Sequence, residues 1–204
     1  MEFYFAIWLF ALSTTITPGP NNIMIMASGV NFGAKQSIPH LLGICFGFPP
    51  MLIALGLGFN SIFSMYPIIH EGIKVIGVLY LLYLAWLIAN SSPSSLDSTI
   101  AKPITFTKAA LFQWLNPKAW VMAMGAISAY TSTDSNFLMQ IIYIALVFFI
   151  VAFPCLCVWL FFGTKLKRYL KSVKHQKIFN KSMALLLVVS ILPVLSALIG
   201  TVIA

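Results

Sequence analysis

Hydrophobic residues occur along the chain in long runs that are separated by shorter polar or basic stretches. Six of these runs approach the roughly 20 residues that an α-helix needs to cross the hydrocarbon core of a membrane. The longest polar sequence, NSSPSSLDSTIAKP, falls between the third run and the fourth. The pattern predicts an all-α integral membrane protein with six transmembrane helices, at about residues 3–28, 38–60, 70–90, 105–130, 137–162 and 180–203.

The composition supports a membrane location and excludes several other classes. Hydrophobic residues make up 60% of the 204 and charged residues 8%, whereas soluble domains are about a quarter charged. The net charge of +8 is concentrated, because seven of the twelve basic residues lie between Lys165 and Lys181. Nucleic-acid binding needs a basic face on a folded surface, so we expect lipid and no nucleic acid as a partner. The four acidic residues fall at span ends or in loops, so no metal site or cofactor is expected.

Basic residues also predict the orientation, because loops rich in Lys and Arg stay in the cytoplasm. The loops after the first, third and fifth runs hold ten of the twelve basic residues. These loops are therefore predicted to be cytoplasmic, and both termini are predicted to lie outside (N-out/C-out).

The two halves of the chain share a pattern of interruptions. The first run is broken by TPGPN at residues 17–21 and the fourth by NPK at residues 116–118, while the second and fifth runs each carry proline further along. Three spans per half would place the second half upside down, as in many secondary transporters. We predict one domain, residues 1–204, built of two inverted three-helix repeats at about 1–92 and 103–204, with broken helices 1 and 4 and a cytoplasmic loop at 91–104.

These interruptions are the candidate substrate site. Proline frees backbone carbonyls from helical hydrogen bonding, and lipid cannot satisfy them, so the breaks should line a cavity. The half-helix N-termini after the breaks favour an anion such as a substrate carboxylate near the midplane. The alternative is that the prolines merely kink packed helices. The candidate substrate-binding residues are Thr17, Pro18, Gly19, Pro20, Asn21, Asn22, Asn116, Pro117 and Lys118.

A lysine inside the fourth run faces a cavity by default. There Lys118 either binds a carboxylate or compensates freed carbonyls; the alternative is snorkelling to the interface. Because no acidic residue lies in the interior of a span, proton coupling would fall to Lys118, His40 or the substrate, although His40 is expected at the membrane interface. Trp159 is expected there too. Gly43 and Gly47 allow close helix contact, within the chain or in a homodimer.

The chain resembles the LysE/RhtB family of bacterial amino-acid exporters over essentially its full length. The resemblance rests on TPGPN at 17–21, NPKA at 116–119 and GVLYLLYLAW at 77–86; FGAKQS at 32–37 and AKPITF at 101–106 are similar to the branch that exports cysteine and O-acetylserine. One departure is Leu87, where many members carry a lysine.

The resemblance implies a multi-pass protein of the bacterial cytoplasmic (inner) membrane. It would export small amino acids or derivatives as a secondary active transporter, driven by the proton gradient or the membrane potential. The alternatives are a passive channel for small solutes and a membrane-embedded enzyme. An enzyme would need a nucleophile–base or metal arrangement that the spans lack, so no enzymatic activity is expected.

Overall fold

The computed structural model describes residues 2–59, 65, 67–90, 102–131, 137–170 and 172–203, and within these residues the secondary structure is helical with no strand, as predicted. A π-helical turn at Leu55–Phe59 continues the third helix, and a 3₁₀ turn at Gln113–Leu115 follows the fifth. The α-helices are α1 (Glu2–Ile16), α2 (Pro20–Phe32), α3 (Ala34–Ala54), α4 (Pro67–Asn90), α5 (Phe106–Phe112), α6 (Pro117–Tyr130), α7 (Phe137–Tyr169) and α8 (Val173–Ile203).

Two predicted loops are shorter than expected. The basic stretch after the fifth run is mostly helical, since α7 continues to Tyr169 and α8 already begins at Val173. Lysine and arginine favour helices, so a helix can continue past the hydrophobic run whose end marked the predicted span. Between α2 and α3 the chain turns at Gly33, whose φ of 80° suits glycine because it has no Cβ.

The long helix α7 is the centre of the packing, with α1, α2 and α3 all against it. Trp8 of α1 donates to Tyr143 near the start of α7, and Lys167 near its end donates to the carbonyl of Asn31 in α2. The broken segment α1–α2 therefore runs parallel to α7. Elsewhere α4 and α8 pack against each other, as an apolar cluster that includes Leu81 and Leu187 shows.

Glycines bring α3 and α5 into close contact. Gly43 of α3 faces Phe106 and Ala109, and Gly47 faces Ala110, so these two helices run in the same direction. The small residues predicted to mediate helix contact thus pack within the chain. A homodimer through another surface stays a prediction.

The direction of α4 is opposite to that of the segment around the second break. Gly77 lies beside Leu115, and the rings of Tyr80 and Phe112 are 5.7 Å apart.

Among the described residues, Ala34–Gly58 and Phe137–Lys167 are each long and apolar enough to cross a membrane. The number of spans, the inverted repeat, the domain bounds and the orientation stay predictions.

The contact between α3 and α5 leads to a stability prediction. A Cβ on Gly47 would lie 2.6 Å from Cα and 2.7 Å from O of Ala110, which are backbone atoms that cannot rotate away. We expect Gly47→Ala to lower the free energy of unfolding by about 1–3 kcal/mol, seen as a lower Tm in detergent. Gly72→Ala is the matched control, because a Cβ there meets no atom of the described residues within 4 Å. Equal melting temperatures for the two variants would contradict the close contact.

Candidate functional site

The first interruption lies between Ile16, where α1 ends, and Pro20, where α2 begins. Gly19 between them is fully extended, with φ and ψ both −179°. Pro20 occupies the first position of α2, where its missing N–H costs nothing. The two prolines offer no N–H to the carbonyls of α1, so the last turn of that helix has lost its usual donors.

Each carbonyl from residue 14 to residue 18 nevertheless receives a hydrogen bond from a side chain. The donors are Thr17 Oγ1 to the carbonyl of Thr14 (2.8 Å), Asn22 Nδ2 to those of Thr15 (2.8 Å) and Thr17 (2.7 Å), Trp159 Nε1 to that of Ile16 (3.0 Å), and Lys118 Nζ to those of Thr17 (2.6 Å) and Pro18 (3.4 Å).

Lys118 therefore joins the two breaks. Its ammonium also contacts Thr17 Oγ1 at 2.9 Å, and its stem lies against Gly19. Of the roles considered from the sequence, compensation of freed carbonyls agrees with these hydrogen bonds. A carboxylate-binding role remains a proposal.

The second interruption has a different construction. A 3₁₀ turn follows α5, then Asn116 adopts an extended conformation (φ −86°, ψ 108°) and Pro117 starts α6. The Asn116 side chain caps its own helix by accepting from the N–H of Lys118 at 3.1 Å. The sequence predicted two half-helix N-termini open to an anion. This prediction was wrong for α6, whose first free N–H is taken by Asn116, whereas the N-cap Gly19 of α2 has no side chain with which to do so.

The amides of Asn21 and Gln113 connect the breaks through a reciprocal pair. Asn21 Nδ2 donates to Gln113 Oε1 at 2.9 Å, and Gln113 Nε2 donates to Asn21 Oδ1 at 3.3 Å. Gln113 is fully buried and also donates to the carbonyl of Ala109. The side chains of Asn21 and Asn22 thus form hydrogen bonds within the protein in this conformation. The sequence had predicted them as substrate-binding residues and not as partners of other protein groups.

A cavity of about 40 Å³ lies between the two interruptions, which is room for roughly two or three water molecules. Residues of both interruptions therefore line one cavity. Thr15, one of its lining residues, has a buried hydroxyl with no hydrogen-bond partner among the described residues. Lys118 is the only charged side chain in the lining that the structure describes. The lining comprises Thr14, Thr15, Gly19, Asn21, Asn22, Ile44 and Phe48 from the first half and Gln113, Asn116, Lys118, Ala119, Met122, Phe148, Ala152 and Leu156 from the second.

His40 and Trp159, which were expected at the membrane interface, both have neighbours inside the protein. His40 is fully buried, and neither of its ring nitrogens has a hydrogen-bond partner among the described residues; it does not line the cavity. Trp159 binds the carbonyl of Ile16 within the break. Both side chains lie inside the helix packing because the helices that cover them are remote in sequence.

Sequence reasoning missed Thr15, Gln113 and Trp159 as parts of this site. The available signal was weak: Gln113 is a polar residue three positions before the Asn116 break in an otherwise apolar run. Thr15 lies one turn before the first break, but so do other hydroxyl residues. Nothing in the sequence links Trp159 to the first break, and only the fold brings the two together.

Broken helices that meet at a small cavity are the arrangement in which many secondary transporters bind their substrates. Residues 12–193 match the family model described as LysE type translocator, and the chain belongs to this family of membrane proteins. It is 31% identical over 185 residues to the cysteine/O-acetylserine efflux proteins of Escherichia coli (strain K12) and Salmonella typhimurium (strain LT2), covering 90% of this chain and 92% of theirs. No solved structure matches the chain. The predicted family and the predicted transport class are confirmed.

The reciprocal amide pair leads to a second stability prediction. Replacing either Asn21 or Gln113 by leucine leaves the other amide buried without its partner, whereas the double replacement removes both. We expect a double-mutant cycle, measured by unfolding in detergent, to give a coupling energy of about 1 kcal/mol.

The control cycle combines Asn21→Leu with Asn180→Leu. Asn180 pairs with Asn31 and not with Asn21, so these two effects should add. Additive effects for Asn21 and Gln113 as well would show that the pair contributes nothing.

Proposed function

We propose that the protein is a secondary active exporter of small amino acids or their derivatives from the cytoplasm. The names of the relatives point to cysteine and O-acetylserine as the substrate class. Transport would be driven by the proton gradient or the membrane potential, across the bacterial inner membrane. Support comes from family membership together with the geometry of the break cavity.

The observation that carries the proposal is that one cavity is lined by both interruptions and contains a single described charge, Lys118. A substrate carboxylate would bind this ammonium and the uncapped N–H groups at the start of α2, where the helix dipole favours an anion. The unpartnered Thr15 hydroxyl would accept a hydrogen bond from the substrate amino group. This arrangement satisfies both charged ends of an amino acid with groups already present.

Binding would compete with contacts that hold the break together. The Lys118 ammonium now binds the carbonyls of Thr17 and Pro18, so a carboxylate that takes the ammonium would leave those carbonyls for water or substrate. The cavity of about 40 Å³ is also too small for an amino acid, and the helices would have to separate. Substrate binding would therefore be linked to movement of one half against the other, as alternating access requires.

The helix directions support the six-span inverted repeat as part of the proposal. In an N-out/C-out chain, spans one and five run alike, as do spans two and four, while spans three and four run oppositely. The contacts of α1 and α2 with α7, of α3 with α5, and of α4 with the second break have these directions.

The cavity lining also restricts the coupling mechanism. No carboxylate, histidine or cysteine lines it among the described residues, so a coupled proton would be carried by Lys118 or by the substrate. His40 remains a candidate only through a conformation in which it reaches the cavity. A passive channel remains the alternative, and counterflow separates the two because only a carrier accelerates exchange.

Lys118→Gln tests the role of the charge. We expect counterflow of O-acetyl-L-serine in proteoliposomes to fall at least about tenfold, the equivalent of 1.4 kcal/mol, with a normal amount of protein in the membrane. Lys108→Gln is the control, since this lysine is exposed on α5 and does not line the cavity. Wild-type exchange by Lys118→Gln would overturn the proposed site.

The double variant Pro18→Ala/Pro20→Ala tests the break itself. Restoring two N–H donors should let α1 and α2 join into one helix, since proline costs about 3 kcal/mol in a helix interior. We expect a higher Tm and no counterflow, because the cavity loses its freed carbonyls. A variant that is more stable and still exchanges substrate would show that the break serves packing alone.

A further inference from the structure

A second cavity, of about 60 Å³, lies further along α2. It lies toward the end of α2 that is predicted to be cytoplasmic, and the last residues of the predicted cytoplasmic loop (91–104) contribute to its lining. It is lined by Met24, Ala27, Ser28, Asn31 and Phe32 of α2, Leu84, Leu87 and Ile88 of α4, and Lys102 and Ile104.

Lys102 is the polar residue of this lining whose side chain has no hydrogen-bond partner among the described residues. The Asn31 amide is paired with Asn180, and the Ser28 hydroxyl lies 2.8 Å from that of Ser37. The Lys102 ammonium, by contrast, has no hydrogen bond or ion pair with any residue that the structure describes. The cavity thus combines one free cation with a wall that is mainly aliphatic.

The two cavities share α2. Asn22 lines the break cavity and Ser28 the second one, six residues or about 9 Å apart along the helix. Between them lies a buried apolar cluster that includes Ile23, Met24 and Phe112. Ile23 and Phe112 adjoin Asn22 and Gln113 of the break cavity in the sequence, and Met24 of the same cluster lines the second cavity.

We propose that the second cavity is a cytoplasmic subsite in which Lys102 binds the carboxylate of an amino-acid substrate before the substrate reaches Lys118. This inference rests on the proposed export function and specifies its first step. The Lys102 side chain is exposed, so its ammonium is accessible to a substrate that arrives from the cytoplasm, and its charge attracts the substrate carboxylate. The aliphatic residues of α4 would contact the substrate side chain.

The subsite predicts a kinetic signature that a role in membrane orientation would not produce. In vesicles whose cytoplasmic face is outward, Lys102→Gln should raise KM for O-acetyl-L-serine by about five- to tenfold, as expected for one lost charge contact. The maximal rate should stay within about twofold, because the Lys118 site is intact. Lys108→Gln, which removes another predicted cytoplasmic lysine, should leave KM unchanged.

A second variant tests whether the location of the charge matters. Leu87 lines the same cavity, so adding Leu87→Lys to Lys102→Gln should return KM toward the wild-type value. The inhibition constant of the carboxamide analogue of O-acetyl-L-serine, which lacks the anionic group, should not change in Lys102→Gln. A parallel rise would contradict carboxylate binding.

The outcomes also separate this inference from the proposed function. Wild-type transport together with equal KM values for Lys102→Gln and Lys108→Gln would overturn the subsite and leave the export function standing. A lower maximal rate at unchanged KM would overturn it as well. No carrier-type exchange by the wild-type protein with O-acetyl-L-serine, cysteine or any other small amino acid would overturn both.

Discussion

Main-chain carbonyls without a helical partner cannot remain unsatisfied among apolar helices, and this constraint governs the structure around the first break. The prolines of residues 17–21 remove helical donors, and side chains from the second half of the chain replace them. Lys118 and Trp159 come from α6 and α7, and only Asn22 and Thr17 are local. The hydrogen bonds that stabilise the break therefore form completely only in the assembled fold.

The same bonds connect the two halves of the molecule at the level of the cavity. Lys118 binds the carbonyls of α1's end, and Asn21 pairs with Gln113. Away from the cavity the contact is apolar and close, with glycines of α3 against α5. Hydrogen bonds that can be exchanged thus lie around the cavity, and closely packed helices lie around these bonds. A transporter that changes conformation without unfolding needs this distribution.

The sequence predicted those features that depend on local chemistry. Proline identified both breaks, together with glycine in the first, and an isolated cation in an apolar run identified Lys118. Features that depend on which helices meet were not accessible: Gln113 lies 92 residues from Asn21, and Trp159 lies 143 from Ile16. The burial of His40 was not predictable, because proximity to a predicted loop says nothing about the helices that cover a residue. The basic stretch after the fifth run was read as a loop because hydropathy reports lipid contact rather than helix ends.

Water and substrate access to the hollow between the breaks is the central claim, and alkylation of a cysteine at position 15 measures it directly. The background would replace Cys45, Cys155 and Cys157, and Thr15→Cys would put a thiol where the unpartnered hydroxyl lines the cavity. The account predicts that a water-soluble maleimide modifies this thiol and that a transported amino acid slows the modification. A thiol that does not react, or that reacts at the same rate with and without substrate, would contradict it.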